Sequence, residues 1–219
     1  MLTFSDLDKS FGNKTVLQGA SGRFAPGVHA LRGPNGIGKS TLLRLLAGIV
    51  EPDGGTIHIG PHSLADAPLA AKSCLSYVPD ECPVYPFMRG HEFLQFVAWA
   101  KGCKLEADVL DIAQRLGLAA HLDTRFADMS LGTQKKTMLA AAWIGAPLVM
   151  LFYEPSNGLD VAARDVLAGL IKAACQRGTI LVSTHDADFI AALGAQVIHF
   201  DTLSGMAPAH SVSRLLTAG

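Results

Sequence analysis

The sequence is short of charge and of paired cysteines, and it has no long apolar run; each shortage narrows what the chain does. Only 17% of its 219 residues are Asp, Glu, Lys or Arg, and the formal net charge is -1. That balance offers no basic footprint, so nucleic acid is not an expected partner. The four cysteines, Cys74, Cys82, Cys103 and Cys175, include no Cys-x-x-Cys spacing. Inert thiols fit better than a disulfide frame or a zinc site. The opening residues, MLTFSDLDKSFGN, carry acidic side chains and no apolar core, which predicts no secretory signal. The longest uncharged run, Thr137 to Tyr153, falls short of a bilayer span, and Gly145 and Pro147 interrupt it. Membrane contact is therefore expected only through a partner.

What is abundant points to a large globular core. Hydrophobic residues make up 49% of the chain, and its 22 glycines suggest several tight turns or close backbone approaches. Val28 to Leu31 reads as a short buried strand entering a Gly-rich loop. A helix follows, with Leu42, Leu43, Leu45 and Leu46 on its apolar side and Gly48 as its stop. Strands are expected at Thr56 to Ile59, Cys74 to Val78, Leu148 to Tyr153 and Thr179 to Ser183. Helices are expected near Gly90 to Lys101, near Glu106 to Leu116, from Ser130, and over Val161 to Gln176. Three prolines make Pro79 to Pro86 a loop. Alternating strands and helices predict an α/β fold with a mainly parallel sheet, and the helical block at about 87–145 reads as an insertion. The Phe93, Phe96, Val97 and Ala100 stripe reads as a helix packing face. His58 and His62 flank Gly60-Pro61 and read as a surface turn rather than a metal pair.

The chemistry concentrates at Gly33-Pro34-Asn35-Gly36-Ile37-Gly38-Lys39-Ser40-Thr41, a complete G-x-x-x-x-G-K-[ST] phosphate loop. Its glycines let backbone N–H groups turn inward on phosphate oxygens, where a side chain would obstruct them. Lys39 brings positive charge to the outer phosphates, and the Ser40 hydroxyl can reach Mg²⁺. The helix that follows aims its partly positive end at the same anion.

Together with SLGTQKK (Ser130 to Lys136), EPSNGLD (Glu154 to Asp160) and STHD (Ser183 to Asp186), the GPNGIGKST loop resembles the ordered motifs of ABC transporter ATP-binding subunits. The resemblance runs over essentially the whole chain. It implies a P-loop NTPase with an N-terminal antiparallel β portion, forming one ATP-binding domain over 1–219. It implies ATP and Mg²⁺ as ligands, and a second ATP-binding subunit in a homodimer or heterodimer. A transmembrane permease subunit would hold the protein at the inner, cytoplasmic face of the cell membrane, with exporter-type subunits the nearest likeness. Ribosome-acting relatives would bring a second linked domain and chromosome-type relatives a long heptad insertion, and neither is expected here. By the same resemblance Ser130 and Gly132 cap the nucleotide of the partner subunit, and Asp160 belongs to the loop between protomers. Glu154 polarises the attacking water, and His185 contacts the outer phosphate. Phe11 matches the adenine-stacking position, with a core Phe as the alternative.

One position departs from that pattern. The residue before the catalytic glutamate, normally a metal-holding Asp, is Tyr153. A neutral phenol does not replace a carboxylate as a hard cation's partner. One reading is a slow ATPase or a nucleotide-binding regulatory subunit. The other is compensation by Asp80, whose position in the family approaches the metal.

Overall fold

The computed structural model describes residues 1–203. Strands β1 (Leu2–Phe11) and β2 (Lys14–Phe24) form an antiparallel hairpin. Strand β3 (Gly27–Arg32) runs into the phosphate loop and helix α1 (Lys39–Leu46). Strands β4 (Gly54–Ile59) and β5 (His62–Ser63), helix α2 (Pro68–Ser73) and strand β6 (Leu75–Val78) follow. Helices α3 (Gly90–Ala100), α4 (Ala107–Arg115) and α5 (Leu131–Ala141) come next. The described part closes with β7 (Val149–Tyr153), α6 (Val161–Ala174), β8 (Thr179–Ser183), α7 (Ala187–Leu193) and β9 (Gln196–His199).

These strands build two sheets. An antiparallel sheet has the order β2-β1-β4-β5, and a parallel one has the order β6-β7-β8-β3-β9. The fold is that of a P-loop NTPase with an added antiparallel layer, as the motif pattern implied. The inner parallel strands β7 and β8 are short and mostly apolar because both of their faces are covered, while the edge strand β9 is largely exposed. Strand β7 shows how period-two geometry feeds both sides. Met150 and Phe152 enter one core with α3 to α7, while Val149 and Leu151 enter the other with α1 and the antiparallel sheet. The helices between 90 and 141 share the first core with β7, β8 and α6.

Helix α1 holds Leu42, Leu43, Leu45 and Leu46 out of water, which anchors the phosphate loop to the sheet. The stripe expected on α3 is displaced. Leu94 and Ala98 are the buried pair, Phe93 and Val97 flank them, and Phe96 and Ala100 face water. The reason is angular: the helix meets its neighbours along the 94–98 line, and Phe96 lies about 160° from Ala98 and Leu94 on a 3.6-residue helix. His58 and His62 lie on β4 and β5, on either side of the turn at Gly60. The four cysteines are all free. None of the described helices is long and apolar enough to cross a membrane.

Candidate functional site

The phosphate loop is held by its own lysine. Lys39 is buried, and its Nζ donates to the carbonyls of Gly33 (2.6 Å) and Pro34 (2.9 Å). Burial lowers its pKa from the ordinary lysine value, and the Glu154 carboxylate raises it part of the way back. Gly38 precedes α1 at φ 119, and a Cβ there would lie 2.9 Å from Val16 Cγ1. Only glycine fits that conformation and that gap. Asn35 is exposed at the loop tip, and Ile37 packs inward against the core.

A cavity of about 240 Å³ opens beside the loop. Phe11, Lys14 and Val16 form one wall, and Gly36, Gly38, Lys39, Ser40 and Thr41 form another. Tyr153 closes it. Phe11 is 50% exposed, with Lys9 Nζ 5.4 Å from the centre of its ring, so it is a surface aromatic and not a core one. An open ring beside a phosphate loop is suited to stacking on a planar base.

The end of β7 carries the acidic group. Glu154 is only 8% exposed and stands at φ 45, a left-handed conformation that favours glycine. The Thr184 hydroxyl donates to its Oε2 at 2.8 Å, and the His185 N–H reaches the same oxygen at 3.4 Å. His185 Nε2 lies 3.8 Å from Oε1, and its ring is half exposed. Glu154 and His185 are thus brought together at the mouth of the parallel sheet, next to the loop that holds Lys39.

Ser130 and Gly132 take no part in that cavity. Ser130 caps α5, its Oγ accepting from the Thr133 N–H at 3.1 Å. Leu131 beside it is 82% exposed. A Cβ on Gly132 would approach the Gly158 carbonyl to 3.0 Å, so the start of α5 lies against the loop that follows Glu154. Asp160 ends that loop by capping α6 and pairs with Lys136 at 2.6 Å.

The metal candidates separate. Ser40 stands on the cavity wall, while Asp80 faces Lys135, whose Nζ lies 3.4 Å from its carboxylate. Lys135 is nearly buried and also donates to the carbonyls of Pro79 (3.0 Å) and Asp80 (3.3 Å). No carboxylate lines the cavity, and the described residues contain no group of three His, Cys, Asp or Glu side chains placed to hold a metal. Hard divalent cations need several oxygen ligands, commonly carboxylate. Ser40 offers its hydroxyl to the cavity, but where the family pattern places a metal-holding carboxylate the chain offers the neutral phenol of Tyr153, so that ligand of a Mg²⁺ site is not supplied. Tyr153 keeps its proton: burial is the main cause raising its pKa, and the negative charges of Glu154 and Asp80 add to it.

Sequence reasoning missed Thr184 and Lys135 as partners of Glu154 and Asp80. Both lie inside quoted motifs, STHD and SLGTQKK, so their polarity was the available signal.

The model of the family described as ABC transporter matches residues 17–157. The chain belongs to the ABC transporter family. A curated relative, the Nod factor export ATP-binding protein I of Paraburkholderia xenovorans (strain LB400), is 34% identical over 191 residues, 84% of this chain and 62% of that protein. The lantibiotic transport ATP-binding protein SrtF of Streptococcus pyogenes is 30% identical over 84% of this ABC chain and 80% of its own length. A solved structure described as the ATP binding subunit of an ABC transporter superposes with a TM-score of 0.79 at 28% identity, covering 87% of this chain and 81% of that one. The chain spans 60% to 62% of the length of the first curated relatives it matches.

Proposed function

We propose that this chain is the ATP-binding, ATP-hydrolysing subunit of an exporter-type ABC transporter. The observation that carries the reading is the cavity lined by Lys39, Ser40, Thr41 and Phe11, with Glu154 next in the chain to its Tyr153 and 3.8 Å from His185. Gly33 to Thr41 hold the phosphates and Phe11 stacks on the base. Glu154 polarises water, and Thr184 fixes the orientation of its carboxylate. His185, hydrogen-bonded through its backbone to the same carboxylate, reads the outer phosphate. The exposed cap of α5, with Ser130 and Gly132, meets the nucleotide of a second ATP-binding subunit.

The chain acts as one domain over 1–219, its helical part at about 87–145 turned toward a transmembrane permease subunit. That partner places it at the cytoplasmic face of the cell membrane. The likeness to the Nod factor export and lantibiotic transport ATP-binding proteins favours an exporter. Turnover is slow, because Tyr153 stands where a metal-holding carboxylate is needed.

The same tyrosine favours a second reading, a regulatory subunit that binds nucleotide and does not hydrolyse it. Co-purification of the chain with its permease, followed by nucleotide binding and ATPase assays, tests both. Lys39→Ala is expected to abolish binding, and Glu154→Gln to keep binding and stop turnover. Turnover that survives Glu154→Gln would remove Glu154 from the chemistry. Intact binding with no turnover in the unmutated complex selects the regulator.

A further inference from the structure

We propose that Tyr153 is itself a phosphate ligand, its phenol O–H donating to an outer phosphate oxygen, so that this chain holds nucleotide without a divalent cation. The inference rests on the nucleotide-binding reading above and goes beyond it.

Position comes first. Strand parity sends residues 149, 151 and 153 of β7 toward the α1 face. Ser183 is the register partner of both Tyr153 and Leu31, so the three lie side by side at the ends of β7, β8 and β3. Helix α1 starts above them with Lys39 and Ser40, and Tyr153 lines the same cavity as both. A tyrosine reaches farther than an aspartate by the length of a ring, and it lines the cavity that Ser40 also lines.

Charge comes second. A carboxylate at this position can only accept hydrogen bonds, and it repels phosphate unless a cation stands between them. A protonated phenol reverses that logic, because it offers a donor directly to an anionic oxygen. The two carboxylates whose charge reaches Tyr153 are already engaged. Glu154 is occupied by Thr184 and His185, and Asp80 by Lys135. The strand end beside Tyr153 also holds a polar group. Ser183 Oγ is fully buried and has no hydrogen-bond partner among the described residues. A polar group left so is costly unless the site it faces is completed by something polar.

The test is calorimetric titration of the full chain with ADP and with a non-hydrolysable ATP analogue, in Mg²⁺ and in EDTA. Unmutated protein is expected to bind with affinities that differ less than threefold between the two conditions. Tyr153→Phe, which keeps the ring and removes only the donor, is expected to weaken binding about tenfold in both, as loss of a hydrogen bond to a charged group does. Tyr153→Asp is expected to bind poorly in EDTA and to recover at least tenfold with Mg²⁺. Thermal melting confirms that each variant is folded. A tenfold loss on chelation in the unmutated chain, or a Tyr153→Phe protein that binds normally in EDTA, overturns the inference and leaves the nucleotide reading intact. No binding by the unmutated chain in either condition overturns both.

Discussion

Lys101 gives a prediction whose sign and size follow from the structure. It ends α3, and its Nζ donates to Ser76 Oγ at 2.7 Å on β6 and to the Ile144 carbonyl at 2.9 Å after α5. It therefore ties the helical layer to the parallel sheet. Burial pushes its pKa from 10.5 down to about 8, with Cys103 and Cys74 pulling weakly the other way. Below pH 8 both folded and unfolded chains carry the proton. Between pH 8 and 10.5 the unfolded chain holds a proton that the folded chain has released, so stability rises with pH. A drop from 10.5 to about 8 corresponds to about 3 kcal/mol at most, since part of the side chain still meets water. Cys82 works in the opposite direction. Burial raises its thiol from 9.0 to about 11, so its contribution is lost as pH climbs through that range. The comparison must therefore be a difference between unmutated protein and Lys101→Met, in which the Cys82 effect cancels. Urea unfolding followed by circular dichroism from pH 7.5 to 10.5 supplies it. The stability of the unmutated protein relative to the variant should climb by up to about 3 kcal/mol over that range. A flat difference would show that Lys101 does not sit as an amine stripped of water.

Two further perturbations address the site. Gly38→Ala puts a Cβ 2.9 Å from Val16 Cγ1 and 3.0 Å from the Phe200 ring at φ 119. It should cost at least about 2 kcal/mol in a thermal melt and weaken ADP binding, and a variant with an unchanged midpoint would contradict the close approach. Lys135→Met removes a buried ammonium together with its contacts to Pro79 and Asp80. Global stability should change little, because an apolar side chain replaces a desolvated charge. Amide hydrogen exchange across residues 79 to 88 should quicken severalfold, and unchanged exchange there would show that another contact anchors the loop.

The phosphate loop, α1 and the four apolar parallel strands were legible because their signals are contiguous. Gly33 to Thr41 is one motif, and β7 is one unbroken apolar run. The long hairpin of β1 and β2 was not assigned strand by strand, and its chemistry explains why. Register shifts break β1 after Phe4, Leu7 and Lys9, and Asp6 stands at φ 53, so its apolar residues do not alternate cleanly. Helix α7 and strand β9 have only seven and four residues, too few to show a period. In the site, what escaped was contact at a distance. Lys135 meets Asp80 across 55 residues, and Thr184 meets Glu154 across 30. Tyr153 was visible as a departure from the family, but its place on the cavity wall needed coordinates.

Glu154 has an evolutionary consequence. It combines a left-handed backbone with a carboxylate withdrawn from water, two loads that folding alone gives no reason to keep. Glycine there would relieve both. In a lineage freed from the need to activate water, that position should drift early toward glycine or asparagine, ahead of residues that merely pack. Sampling close descendants of this chain thus reads its history. On the water-polarising role proposed for Glu154, retention of glutamate beside tyrosine would mark a chain selected for turnover, and its decay one kept only for binding nucleotide.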